Sequence, residues 1–153
     1  MRLHYKVQEN ETIQYVDVMS LYPYICKYLK IPVGYPRIHV GDACKDMVAC
    51  LRMEGLILRT IVPPQKLYHP VLSFRCSKKL MFCLCITCVQ TTCTGECPHT
   101  EDAERALTGT WVMDDVRLAV EKGYRILEIY EVYEYHVTQY NPESGKGGLF
   151  VAT

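Results

Sequence analysis

No apolar run in this 153-residue chain approaches the length of a membrane span. The N-terminal stretch, Met1 to Thr12, lacks the apolar core of a signal peptide, so an intracellular site is the expectation and no membrane partner is expected. Net charge is missing too: 17 basic residues face 17 acidic ones, which removes any whole-surface argument for binding nucleic acid. Internal repeats are absent. Gly145-Lys146-Gly147-Gly148 is not a phosphate-cradling loop, because it lacks the preceding glycine spacing and the following Ser or Thr. Aromatic content comes almost wholly from tyrosine, with 12 Tyr against 3 Phe and 1 Trp.

What remains is a soluble, globular composition, long enough for one domain with a real core. Cysteine is plentiful: there are nine, an odd number with no secretory signal, which argues against a complete disulfide framework. Five of them, Cys83, Cys85, Cys88, Cys93 and Cys97, crowd one short segment.

Periodicity predicts an α+β chain. Thr12 to Val18 alternates and is β-branched, which predicts a strand ending near Asp17. Ser20 is placed to cap a helix over Leu21 to Lys30, with Pro23 tolerated in its first turn. Val33 to Asp46 reads as loop. Gly55 to Val62 reads as a strand, with Tyr68 to Arg75 as its hairpin partner. A cysteine-rich loop spans 76–99, and Thr100-Glu101-Asp102 opens a short helix. Thr110 to Lys122 is expected to be helical, with Val112, Val116, Ala119 and Val120 on one face and Gly123 as the stop. Tyr124 to Val137 reads as a long strand, followed by a polar, Gly-rich tail. His39, His69 and His136 have no evident partners. Tyr130, Tyr133 and Tyr135 could stack on bases, though strand aromatics more often fill a sheet face.

The segment that carries chemistry is Asp17-Val18-Met19-Ser20-Leu21-Tyr22-Pro23. Nucleotidyl transfer uses two divalent ions to stabilise the attacking and leaving oxygens, and hard ions such as Mg²⁺ take carboxylate and carbonyl oxygens. An aspartate at a strand end is rigidly placed to bridge such ions, and the Val18 carbonyl can complete the coordination shell. Free N–H groups at a helix start suit a triphosphate. This segment resembles motif A of family B DNA polymerases, D-x-x-S-L-Y-P. Pro32-Val33-Gly34-Tyr35-Pro36, Gly55 to Arg59, Pro63-Pro64, His69 to Leu72, Leu107 to Trp111 and Gly123 to Val132 resemble the continuation in protein-primed polymerases of Polinton (Maverick) transposons.

The resemblance implies DNA template-primer and deoxynucleoside triphosphates as partners, and in this group a terminal priming protein. It implies Asp17 and the Val18 carbonyl as Mg²⁺ ligands, and a nucleotide floor built from Ser20, Leu21 and Tyr22. Tyr22 would be the steric gate against a 2′-hydroxyl. It divides the chain into a partial palm at 5–40, an insertion subdomain at 41–138 and a tail at 139–153. Motif B (K-x-x-x-N-S-x-Y-G) and motif C (Y-x-D-T-D) do not occur, nor does an exonuclease D-x-E upstream of Asp17. The chain is therefore expected to be a polymerase piece, inactive alone. Asp114-Asp115 sits near a helix start, where acids favour the dipole, and is not expected to be catalytic.

Cys85-Ile86-Thr87-Cys88 followed by Cys97-Pro98-His99 has the spacing of a Cys3His structural zinc site, with Cys76, Cys83 and Cys93 as substitute ligands. The plainer reading is a set of reduced, partly buried thiols, or decay in a transposon-derived gene. Two functions thus compete: a part of a DNA polymerase, and a zinc-stabilised protein- or DNA-binding remnant without catalysis. Lys78 and Lys79 could touch phosphates, but a solvated basic turn is the plainer account.

Overall fold

Alternation along Ile57, Arg59 and Ile61 turns every second side chain of strand β2 (Gly55–Val62) to one face, where all three are fully buried. In the computed structural model, which describes residue 7 and residues 9–93 and 95–149, β2 runs through the middle of a four-stranded sheet. On one side it pairs antiparallel with β6 (Arg125–Thr138), and on the other with β5 (Leu107–Val112). Strand β1 (Ile31–Val40) lies outside β6 at the sheet edge. A two-stranded hairpin joins β3 (Ser73–Cys76) to β4 (Lys79–Phe82). Helices α1 (Leu21–Tyr28), α2 (Met47–Arg52), α3 (Ile86–Gln90), α4 (Asp102–Arg105) and α5 (Met113–Glu121) complete an α+β fold. No helix among the described residues is long and apolar enough to cross a membrane.

The chain divides into two compact units, Met1–Ile31 with Thr138–Thr153, and Pro32–Val137. Residues 5, 6 and 8 of the expected palm portion and residues 150–153 of the tail lie outside the described residues.

The core belongs to the second unit. Ile57 stands opposite Trp111 on β5 and Val132 on β6, while Ile61 faces Leu107. From α5, Met113, Val116 and Ala119 close over this face, at a spacing of three that keeps them on one side of the helix. Each fully buried Ile, Met or Val contributes roughly 1.5–3 kcal/mol by leaving water. The Arg117 guanidinium ties α5 to the end of α2, donating to the Leu51 carbonyl at 2.9 Å and the Met53 carbonyl at 2.7 Å. It also pairs with Glu54 and with Asp114. Gly123, at φ +90°, ends α5 as expected, and the Tyr124 amide returns to the Ala119 carbonyl at 3.0 Å.

Several expectations are corrected. Thr12 to Val18 forms no strand: a strand exists only as a hydrogen-bonded ladder, and this segment has no ladder partner among the described residues. Val33 to Asp46, expected to be loop, instead holds most of β1, a 3-10 turn at Gly41–Cys44 after it and the cap of α2. Pro32 and Pro36 are compatible because an edge strand leaves one row of N–H positions unused. The hairpin partner of 73–76 is 79–82, not β2, across a Ser77-Lys78 turn with both residues at positive φ.

Residues 107–112 are strand and not the start of a helix. Leu107 and Trp111 point inward, and Thr108, Thr110 and Val112 outward, a period of two. Within α5 the buried face is accordingly Met113, Val116 and Ala119; Val112 and Val120 are exposed. His39 does have a partner, since its Nε2 lies 2.8 Å from Glu134 Oε2.

Candidate functional site

Asp17 stands in exposed chain that is neither helix nor strand, four residues before α1. Its Oδ1 accepts the Val18 amide at 2.9 Å, which fixes the carboxylate against its own backbone. Ser20 then turns the chain at φ 59°, a left-handed conformation, and its carbonyl accepts the Tyr24 amide at 3.0 Å. The Ser20 side chain makes no capping hydrogen bond, contrary to expectation. The helix also ends earlier than expected, at Tyr28. Tyr22, on its first turn, is 81% exposed, and Leu21 is exposed as well. Asp17, Val18, Ser20, Leu21 and Tyr22 are therefore all exposed, along the turn that leads into α1 and on the first turn of that helix. Asp17 is beside the start of α1, but not at a strand end.

An Mg²⁺ ion fits the oxygen donors Asp17 and Val18 offer. A two-ion centre needs further carboxylates. Among the described residues, the one group of three or more His, Cys, Asp or Glu side chains whose ligand atoms converge is elsewhere. Asp114, in the first turn of α5, pairs with Arg117 on the same helix.

That convergent group is Cys85, Cys88, Cys97 and His99, whose ligand atoms lie within 4.8 Å of one another. Cys85 stands just before α3 and Cys88 on its first turn, so the two-residue spacing brings both thiols to one side. His99 Nδ1 is 3.5 Å from the Cys85 sulfur, 3.3 Å from Cys88 and 3.7 Å from Cys97, and the Cys88 and Cys97 sulfurs are 3.3 Å apart. Cys85 is buried, Cys88 and His99 partly so, and Cys97 is exposed.

The two close thiols split their proton affinities. Desolvation pushes Cys97 up, but hydrogen bonds from Cys88, from the His99 backbone and ring and from Cys85 outweigh it, bringing Cys97 down to about 7. Cys88 is raised, chiefly by its hydrogen bond to Cys97. Of the substitute ligands, Cys83 is packed in the core, where burial pushes its thiol up to about 11. Cys93 sits against Thr91 Oγ1 at 3.4 Å, and Cys76 against Ser77. None of the three joins the group.

Two features were missed in the sequence. Arg105 is buried, and its guanidinium donates to the carbonyls of Pro63 at 3.0 Å, Pro64 at 2.8 Å and Leu84 at 3.3 Å. Its place on a short, acid-led helix gave no hint of this. Arg59 is wholly buried, and none of its three guanidinium nitrogens has a hydrogen-bond partner among the described residues. Its central carbon stands 5.8 Å from the Trp111 ring centroid. The alternation of β2 places it on the core face, a signal that was legible. Two tyrosines of β6 bond within the sheet: Tyr130 Oη lies 3.0 Å from Thr60 Oγ1 on β2, and Tyr133 donates to Glu131 of its own strand at 2.7 Å.

No curated protein and no solved structure matches the chain. A family model described as DNA polymerase type B, organellar and viral, matches residues 2–140. That span takes in the Asp17 turn, the four-stranded sheet and the cysteine cluster. The chain belongs to the organellar and viral type B DNA polymerases.

Proposed function

We propose that this chain supplies motif A to a protein-primed DNA polymerase, with Asp17 as a ligand of the catalytic Mg²⁺ and Tyr22 as the steric gate for the incoming deoxynucleotide. The observation that carries this reading is the exposed stretch from Asp17 to Tyr22. It brings a carboxylate, a backbone carbonyl and an aromatic ring to the start of a helix. Mg²⁺ bound there would stabilise charge on the transferring phosphate. The chain's own part is to hold the Asp17 carboxylate against the Val18 amide and to keep the Tyr22 ring exposed on the first turn of α1.

The partners are template-primer DNA, deoxynucleoside triphosphates and a terminal priming protein met through the insertion after motif A, at an intracellular replication site. Motifs B and C would come from polypeptide beyond these residues.

Primer extension tests the proposal. The purified 153-residue chain is expected to give none with Mg²⁺ or Mn²⁺. A polypeptide joining it to a palm that bears motifs B and C is expected to extend primers, to lose activity in Asp17→Asn with folding intact, and to accept more ribonucleotide in Tyr22→Val. Unchanged sugar discrimination in Tyr22→Val would remove the gate role.

A second reading, a binding remnant without catalysis, is favoured by one observation: the Pro32–Val137 unit has its own core and its own cysteine cluster. Binding of primer-template DNA or a partner protein by residues 32–137, unaffected by Asp17→Asn in the full chain, would support it.

A further inference from the structure

We propose that Cys85, Cys88, Cys97 and His99 hold one structural zinc ion through three thiolates and the His99 Nδ1. Zinc at its usual distances, about 2.3 Å to sulfur and about 2.0–2.1 Å to nitrogen, sets tetrahedral edges of about 3.8 Å between sulfurs and about 3.5 Å between sulfur and nitrogen. The three sulfur–nitrogen separations here are 3.5, 3.3 and 3.7 Å. The Cys88–Cys97 edge, 3.3 Å, is shorter, and every edge falls within 4.8 Å. Four side chains from two stretches of chain, 85–88 and 97–99, thus already mark the corners of a tetrahedron of the right size.

The surroundings call for such a staple. Ile86 and Val89 of α3 pack partly against the core, but the described residues between α3 and His99 are exposed, so apolar packing does little to fix that loop. A tie of another kind is required, and soft thiolates with one imidazole select zinc over Mg²⁺ or Ca²⁺. Four protein ligands leave no open position, so the ion is structural and not catalytic. Its position gives it reach. Thr87 Oγ1 donates to the Glu104 carbonyl at 2.7 Å, and the next residue, Arg105, grips the end of β2 through the Pro63 and Pro64 carbonyls. The ion would therefore pin α3 to α4 and, through Arg105, to the sheet.

The competing account is a Cys88–Cys97 disulfide. That would use two of the four groups and leave the approach of Cys85 and His99 to the same point without cause. A disulfide also needs the two sulfurs at about 2.0 Å.

The test is metal analysis and X-ray absorption on the full chain purified without chelator. We expect about one zinc per chain, with three sulfurs at about 2.3 Å and one nitrogen at about 2.0–2.1 Å. Cys88→Ser should lower zinc content at least tenfold, and Cys93→Ser should leave it unchanged. Should Cys88→Ser fail to fold, His99→Cys still discriminates: it should keep the metal and move the shell to four sulfurs. A metal-free protein with a Cys88–Cys97 disulfide by mass spectrometry overturns the proposal. So does a shell without nitrogen in the wild type, or zinc loss in Cys93→Ser.

Discussion

Arg59 shows most sharply what one side chain can cost. Burial lowers its guanidinium to about 10, and with no hydrogen-bond partner among the described residues the charged form is penalised at neutral pH. Arg59→Met keeps much of the volume and the packing on Trp111 while removing the charge. It is expected to raise unfolding free energy by about 1–3 kcal/mol in urea titrations. The pH dependence has a definite sign. Above about 10 the folded state releases this proton while the unfolded state keeps it, so the unfolded state binds more protons and this contribution to stability rises with pH. That rise should be absent in the Met variant; an equal slope in both proteins would show that Arg59 is not the group responsible. Asp17 is a different case, since its exposed carboxylate makes no contact the fold depends on. Asp17→Asn should leave the melting temperature within about 1 °C of wild type, because substitutions on an exposed segment seldom exceed about 0.5 kcal/mol.

Among the elements, β2 depends on a glycine at its first position. Gly55 has φ +141°, and a Cβ there would fall 2.0 Å from the Tyr133 carbonyl oxygen on β6. Gly55→Ala must therefore shift the β2–β6 ladder where it begins, and we expect a loss of about 2–3 kcal/mol, measured by chemical denaturation. A loss below about 0.5 kcal/mol would mean that the ladder yields easily at this end. The loop that leads from α3 to His99 has the opposite character, since its described residues are exposed. Zinc removal by chelator should erase amide-exchange protection in residues 86–105 while β2, β5 and β6 keep theirs, because those strands are held by the core. Simultaneous loss everywhere would make the ion a support of the whole unit.

At the scale of the molecule, the Pro32–Val137 unit contains the four-stranded sheet, its core and the Cys3His cluster. Residues 32–137 expressed alone are expected to fold cooperatively, with dispersed amide resonances and the zinc content of the full chain. An unfolded product would show that the core needs the remaining residues.

Some of this was legible along the chain. The Asp17 to Pro23 motif, the strands at 55–62 and 125–138, the Gly123 stop and the four ligand positions all depend on local sequence: a fixed order, a period of two, a turn residue, a two-residue spacing. Convergence of Cys85 and Cys88 follows from one helical turn. The choice of Cys97 and His99 over Cys83 and Cys93 was suggested by spacing but fixed by packing, which commits Cys83 to the core. Whether extended residues become a strand was not legible, because a ladder needs a partner distant in sequence. Thr12 to Val18 has the better alternation and has no ladder partner among the described residues, whereas residues 31–40, broken by Pro32, Gly34 and Pro36, find the edge beside β6. The same holds for Arg59 and Arg105. Their positions were visible in the sequence, but only the folded chain places one against an indole without a hydrogen bond and gives the other three carbonyls. Sequence by itself determined the local chemistry; tertiary structure decided the pairings, because contacts between distant residues are selected by shape and burial that no short window contains.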